Sequence, residues 1–146
     1  MILTEDWLTE HCACQEGMDW FKDQTDSIKV VKKLHTEARS DWANWLIVRL
    51  MNRTQRLKYV INAAELALPI WEKRYPDDKR PRLAIEAARA VLANDTEETR
   101  AAARSAAGSA GWSATESAAW SVAACAGVSW SPPLEYGIEL LRQDGP

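Results

Sequence analysis

The sequence has few of the residues from which enzymes usually build an active site. It contains two histidines, His11 and His35, and it lacks a glycine-rich phosphate loop and the motifs G-x-S-x-G, H-E-x-x-H and C-x-x-C. Catalysis requires titratable groups that meet in a pocket. This shortage favours a protein that binds another macromolecule, and it predicts neither a catalytic residue nor a cofactor.

Cysteine is also scarce. Cys12, Cys14 and Cys125 are too few, and odd in number, for a disulfide framework, which suggests a reducing compartment. Three interpretations stay open for them. The first is a metal site that combines His11 or His35 with the thiols, the second is a catalytic nucleophile, and the third, which we expect by default, is small buried thiols. The prediction is that no metal is bound.

Long apolar runs are absent as well. No run reaches the 18 residues of a membrane helix, and residues 1–6 lack the basic and apolar stretches of a secretory signal. The expected location is therefore the cytoplasm. A chain of 146 residues, 47% of them hydrophobic, is expected to form one domain over residues 1–146 with a core of its own.

Charge is segregated along the chain, although the net charge is only −3. Residues 1–26 carry seven acidic residues and one lysine, whereas residues 27–60 carry eight basic and two acidic residues. In one interpretation the two segments pack together and neutralise each other. In the other, the acidic segment faces a basic partner. Nucleic-acid binding by the basic segment is disfavoured, because the whole chain is acidic, with a pI of about 5.4.

Apolar residues recur at helical spacing, and no segment shows the strict alternation of a strand. The expected N-caps are Thr4, Asp26 or Ser27, Ser40 and Thr54, and Pro81 is expected to be the first residue of a further helix. The most regular stripe comprises Leu57, Val60, Ile61, Ala64, Leu68, Trp71 and Tyr75. The alanine-rich residues 101–126 are predicted to form one or two tightly packed helices. The predicted fold is all-α, a compact single-domain bundle of about seven or eight short helices.

Tryptophan, with eight residues, is unusually frequent. Those that fall on the helical stripes are expected in the core: Trp42, Trp45, Trp71 and Trp120. The pattern does not decide the position of the others that we considered, which are Trp7, Trp20 and Trp130. Exposed tryptophans are favoured contact residues at protein interfaces.

A polar loop with the sequence Asp-Asp-Lys-Arg-Pro-Arg begins at Asp77. One interpretation is structural: Asp77 and Asp78 complement the positive end of a helix, and Pro81 sets its first turn. The two arginines of the loop would then fork onto carboxylates such as Asp41 or Glu86. The functional interpretation makes the same loop a polar contact surface for a partner.

Four segments together resemble a known family. They read ACQEGMDWF from residue 13, DWANWL from residue 41, AELALPIWE from residue 64 and YPDDKRPRLAIEAAR from residue 75. These segments resemble immunity proteins of bacterial polymorphic toxin systems, over roughly residues 12–126, and the run DDKRPRLAIE is the most specific part. The resemblance implies an all-α protein that neutralises a toxin, often a nuclease, by direct binding. The positions that match residues marked in the family are Trp20, Asp41, Trp42, Asp78, Arg80 and Arg82.

Three functions follow as hypotheses. The first is an immunity or inhibitor protein whose protein partner is a toxin or nuclease, with the contact residues Glu5, Asp6, Glu10, Glu16, Trp20, Asp41, Trp42, Asp77, Asp78, Arg80 and Arg82. The second is a phage-encoded inhibitor of a host defence system such as CRISPR interference. The third is a small enzyme or ligand-binding bundle with a polar pocket around Asp41, Arg80 and Arg82. A homodimer is left open in each case.

Overall fold

The computed structural model describes residues 1–22, 25–109 and 131–143. In these ranges the chain forms eight helices and one two-stranded sheet. The helices are α1 (Glu5–Glu10), α2 (Gln15–Trp20), α3 (Ser27–Thr36), α4 (Ser40–Leu50), α5 (Arg53–Arg74), α6 (Arg80–Ala93), α7 (Glu97–Ser109) and α8 (Ser131–Gln143). The all-α fold with seven or eight helices is thus confirmed. Of the described helices, none is both long enough and apolar enough to cross a membrane.

The small sheet is an element that the sequence pattern missed. Strand β1 (Ile2–Leu3) pairs antiparallel with strand β2 (Thr25–Asp26), with Ile2 opposite Asp26 and Leu3 opposite Thr25. The expectation of a chain without strands is wrong here, because two residues are too few to show alternation. The pairing places Leu3 in the core and ties the start of the chain to the start of α3.

Two of the predicted helix caps are confirmed. The Thr4 hydroxyl accepts a hydrogen bond from the Trp7 N–H at 3.1 Å, and the Asp26 carboxylate accepts from the N–H groups of Ile28 and Lys29. Each interaction satisfies donors that have no partner within the helix. Pro81 is the second residue of α6, one position after the predicted one, and it lies within the first turn.

Two other predicted caps are wrong. Ser40 is the first residue of α4 rather than its cap. Its hydroxyl instead lies 3.1 Å from Nδ1 of His35. Thr54 lies inside α5, which begins at Arg53. Serine and threonine hydroxyls can bond to any nearby polar group, so sequence alone does not assign the partner.

Helices α1 and α3 end in the same backbone motif. The residue after each C-cap adopts a left-handed conformation, with φ of 57° at Cys12 and 59° at Ala38. In α3 the Arg39 N–H then donates to the Leu34 carbonyl at 2.9 Å, and an equivalent bond closes α1. This arrangement normally uses glycine, and a residue with a Cβ costs about 1–2 kcal/mol there.

The described contacts divide the chain into two units, each of which is treated by itself. The first unit comprises Met1–Asn52 and Leu134–Pro146, and the second comprises Arg53–Pro133. The expectation that residues 1–146 form a single domain stays a prediction. In the first unit α3 packs against α4, and in the second α6 packs against both α5 and α7.

Each unit buries its own apolar residues. The first unit encloses a set from α3, α4 and the elements around them, including Val31, Leu34, Leu46, Ile47 and Leu134. In the second unit Ile61, Ala64 and Ile85 form a buried cluster, and Leu57, Leu68 and Ala88 pack against it. The predicted stripe of α5 is therefore confirmed from Leu57 to Leu68.

Candidate functional site

A cluster of aromatic and charged side chains lies on the first unit. The rings of Trp20 in α2 and Trp42 in α4 meet edge to face, with 6.5 Å between centroids and an interplanar angle of 80°. Lys33 Nζ lies 4.8 Å above the Trp20 ring, and Arg39 Cζ lies 4.2 Å above the Trp42 ring. A cation over an exposed indole contributes about 0.5–1 kcal/mol. Both tryptophans are half-buried.

Hydrogen bonds complete this cluster. The Trp20 indole N–H donates to Glu37 at 2.7 Å, and Arg39 Nη1 donates to Glu16 at 3.1 Å. Glu16 belongs to the acidic first segment and Arg39 to the basic second one, so this pair supports the interpretation in which the two segments neutralise each other. Among the described residues of α2 itself none is buried, and we infer that these contacts hold α2 in place.

The carboxylates predicted at the N-terminal face are exposed. Glu5 and Asp6 occupy the first turn of α1, where they complement the positive helix end, and Glu10 occupies its last turn. The Trp7 ring stacks on His11, with 3.9 Å between ring centroids, on the same helix. Asp41 lies exposed in the first turn of α4. These positions are accessible to a partner, and their role stays a prediction.

The predicted polar loop lies in the second unit, where α5 turns into α6. Two arginine–carboxylate pairs connect the helices. Arg82 donates two hydrogen bonds of 2.8 Å to the Glu72 carboxylate, and Arg89 donates one to Glu65. The loop arginines pair with carboxylates, as the structural interpretation expected. The carboxylates that they bind are Asp78 and Glu72, whereas Asp41 and Glu86 were the examples suggested from the sequence. The reason is that the antiparallel hairpin brings the end of α5 beside the start of α6.

Asp78 is the polar centre of this turn. Its carboxylate accepts two side-chain hydrogen bonds of 2.8 Å from Arg80, and one of 3.1 Å from the Arg80 backbone N–H. The Arg80 guanidinium is the main cause that lowers the pKa of Asp78 from 3.8 to about 2. The structural interpretation of Asp78 and Arg80 is thereby supported, because both hold the start of α6.

The low pKa of Asp78 predicts how the stability of the protein changes as the pH falls. The folded pKa lies below the ordinary value, so the stabilising effect of the pair is complete above about pH 4 and is lost as the pH falls toward 2. We expect the ¹³C signal of the Asp78 carboxyl group to titrate near pH 2. In the Arg80→Ala variant it should titrate close to 3.8 instead. An Asp78 that titrates in its usual range while Arg80 is present would contradict the geometry.

Trp71 and Tyr75 lie on the surface beside this turn. Their rings contact each other, with 4.7 Å between centroids, and the side chains are 37% and 43% exposed. The expectation that Trp71 lies in the core is therefore wrong. The apolar stripe of α5 continues past Leu68, the last of its residues that packs on the buried cluster with α6. Trp42 and Trp45 are half-buried, and Trp120 and Trp130 lie outside the described residues.

The cysteines also differ from expectation. Cys12 and Cys14 are exposed free thiols rather than buried ones, because both lie in the short connection between α1 and α2. Cys125 lies outside the described residues. Where the structure describes the chain, no three side chains among His, Cys, Asp and Glu form a group that could hold a metal.

The residues of the hypothetical polar pocket are each placed on an accessible surface. Asp41 belongs to the first unit, whereas Arg80 and Arg82 belong to the second. Both arginines are exposed and already bind a carboxylate of their own unit. Such paired, exposed groups are typical of a protein surface.

Comparison with known proteins assigns the family. Residues 46–131 match the family described as Imm-5 like putative immunity protein. The match covers more than half of the chain, which therefore belongs to this family, and the resemblance stated from the sequence is confirmed. No curated protein and no solved structure matches the chain. The matched residues include nearly the whole second unit and exclude α1, α2 and α3.

Proposed function

We propose that this protein is a cytoplasmic immunity protein that binds a protein toxin directly and blocks it without catalysing a reaction. The observation that carries the proposal is the family match over residues 46–131. Immunity by this route requires an accessible contact surface, and the second unit offers exposed aromatic rings and arginines, which are enriched at binding hot spots. The shortage of histidine and of recognisable catalytic motifs supports a binder as well.

The decisive experiment pairs the protein with its genomic neighbour. The product of the adjacent gene would be produced in a bacterial host with and without this protein, and growth would be followed. We expect growth arrest by the neighbour alone, rescue by co-production, and a stable complex on size-exclusion chromatography. A toxic neighbour that is neither rescued nor bound would exclude direct neutralisation, and a harmless neighbour that binds would point to another role.

The acidic face of α1 offers one way to meet a basic region on the surface of the toxin. Glu5 and Asp6 also complement the helix end, and changing them to lysine would destabilise α1 as well as remove charge. We therefore choose the triple variant Glu5→Gln, Asp6→Asn, Glu10→Gln. If the acidic face steers the toxin, the association rate constant should fall about tenfold at low salt and respond less to added salt.

A matched control separates this effect from a general loss of charge. Glu98 is exposed in the first turn of α7, the same position in its helix as Asp6 has in α1. Glu98→Gln should leave the association rate unchanged. Glu16 is left intact, because it binds Arg39 and a change there would disturb the aromatic cluster. Equal rates for the triple variant and the wild type would show that the acidic face takes no part.

A further inference from the structure

The end of the α5–α6 hairpin presents an outward layer of positive charge. In the Asp78–Arg80 pair the carboxylate side chain is 17% exposed and the guanidinium side chain 59%. In the Glu72–Arg82 pair the corresponding values are 23% and 49%. The carboxylates therefore form the inner half of each pair. Residues 71–82 contain five exposed cationic side chains but only one exposed carboxylate, that of Asp77.

The same end of the hairpin exposes a group of large apolar side chains. Trp71 and Tyr75 are joined on α5 by Leu66 and Ile70, and on α6 by Leu83, which is 54% exposed. Single exposed apolar residues are normal on a protein surface, but a group of five on one hairpin indicates an interaction site. Leu66 and Ile70 are one helical turn apart, as are Trp71 and Tyr75, so each of these two pairs presents neighbouring side chains.

We propose that the hairpin surface, defined as these five apolar residues with Lys73, Arg74, Lys79, Arg80 and Arg82, is the docking site for the toxin. The inference rests on the proposed function. It specifies the chemistry of the partner, which presents an apolar groove bordered by carboxylates. Charge complementarity supports this occupant, since the outward layer is cationic and would attract an acidic protein face. The surface also lies within the segment that matches the family.

The composition favours a protein over a nucleic acid as the occupant. Leu66, Ile70 and Leu83 would gain little against a phosphate backbone, whereas an apolar groove would remove them from water. Arg82 is held in a bidentate pair with Glu72, so its remaining N–H groups point in fixed directions. Donors with fixed directions suit carboxylates at defined positions on a folded partner.

The hydrogen bonds of the turn also reduce the cost of binding. Asp78 fixes Arg80 through two side-chain hydrogen bonds, and Arg74 lies 5.5 Å from the Tyr75 ring centroid. Side chains that are already ordered lose less entropy when a partner arrives. Asp78 and Glu72 are therefore positioning residues, and the aromatic rings and the outer cations make the contact.

The test measures the affinity of variants for the toxic neighbour that the growth assay identifies. Tyr75→Ala removes an exposed ring, and Lys73→Glu with Arg74→Glu reverses two outer charges. Each variant is expected to weaken binding at least tenfold. The matched controls are Leu92→Ala, whose side chain is 37% exposed at the other end of α6, and Lys29→Glu with Lys32→Glu on the exposed side of α3. The controls should bind within about twofold of the wild type. Circular dichroism checks that every variant is folded.

The possible results distinguish a failure of the proposed docking site from a failure of the proposed function. If the wild type binds the toxin and the hairpin variants bind equally well, the hairpin surface is not the site, while the proposed function stands. If the wild type does not bind a toxic neighbour that it was expected to neutralise, the proposed function fails and the inference with it. The hairpin variants are also tested for self-association, for binding to a 20-base-pair DNA duplex and for binding to anionic vesicles. If one of these interactions is lost while toxin affinity is unchanged, the hairpin surface binds that second copy, DNA or membrane instead of the toxin.

Discussion

The Ile47→Ala variant is expected to lower the free energy of unfolding by about 2–5 kcal/mol. Ile47 lies in the middle of α4 and is completely buried in the first unit. The substitution removes apolar atoms from the core, and the surrounding side chains fill the resulting cavity only in part. A loss of this size is a large share of the total stability of a small protein. Urea denaturation followed by circular dichroism measures it.

Ile70→Ala provides the control for this experiment. The same chemical change is made on α5, where the Ile70 side chain is 44% exposed, so the expected loss is below about 0.5 kcal/mol. The shape of the Ile47→Ala curve is informative as well. If residues 1–146 form one domain, a single transition should shift to lower urea. Two transitions of which only one shifts would mean that the first and second units unfold separately, and equal losses for both variants would contradict the burial of Ile47.

Above pH 10 the protein is expected to lose stability steeply, because Tyr59 lies in the core. Its side chain is 1% exposed, and burial raises the pKa of its hydroxyl group above the usual value of 10. The unfolded chain releases this proton near pH 10, whereas the folded chain retains it. The stabilising effect is therefore complete below pH 10 and declines by about 1.4 kcal/mol for each pH unit above it, until the folded pKa is reached.

The alkaline effect can be assigned to Tyr59 with the Tyr59→Phe variant. This variant removes the hydroxyl group and retains the ring, so its unfolding free energy should vary much less between pH 10 and 11.5 than that of the wild type. Absorbance at 295 nm follows the tyrosinates directly: we expect the Tyr59 signal to appear only as the protein unfolds. The same alkaline loss in both proteins would show that another group is responsible.

The sequence predicts the helices well because their signals are local. Thr4 and Asp26 cap the helices that were expected, and the stripe from Leu57 to Leu68 is buried as its period requires. By contrast, the left-handed backbone at Cys12 and Ala38 is not predicted by the sequence. Both residues adopt a conformation for which glycine is the usual signal, and neither residue type gives any indication of it.

The candidate surface is less predictable, for a physical reason that Trp71 illustrates. A helical period shows which side of α5 faces the core, but it does not show where the neighbouring helix ends. Trp71 and Tyr75 share the stripe of Leu68 and are nevertheless exposed. The partners of the loop arginines were missed in a similar way. Charged residues are visible in the sequence, but the pairing depends on the antiparallel path of α5 and α6.

In the hairpin, the residues that maintain the shape of the turn differ from those that form its exposed surface. This difference affects how binding specificity can evolve. Asp78 and Glu72 maintain the shape of the turn, whereas Leu66, Ile70 and Leu83 are exposed and lie outside that network. If the hairpin surface is the docking site that we propose, substitutions at the exposed positions would change which toxin is recognised at little cost in stability. A lineage could therefore follow a diverging toxin by exchanging these side chains, while the carboxylates keep the same scaffold in place.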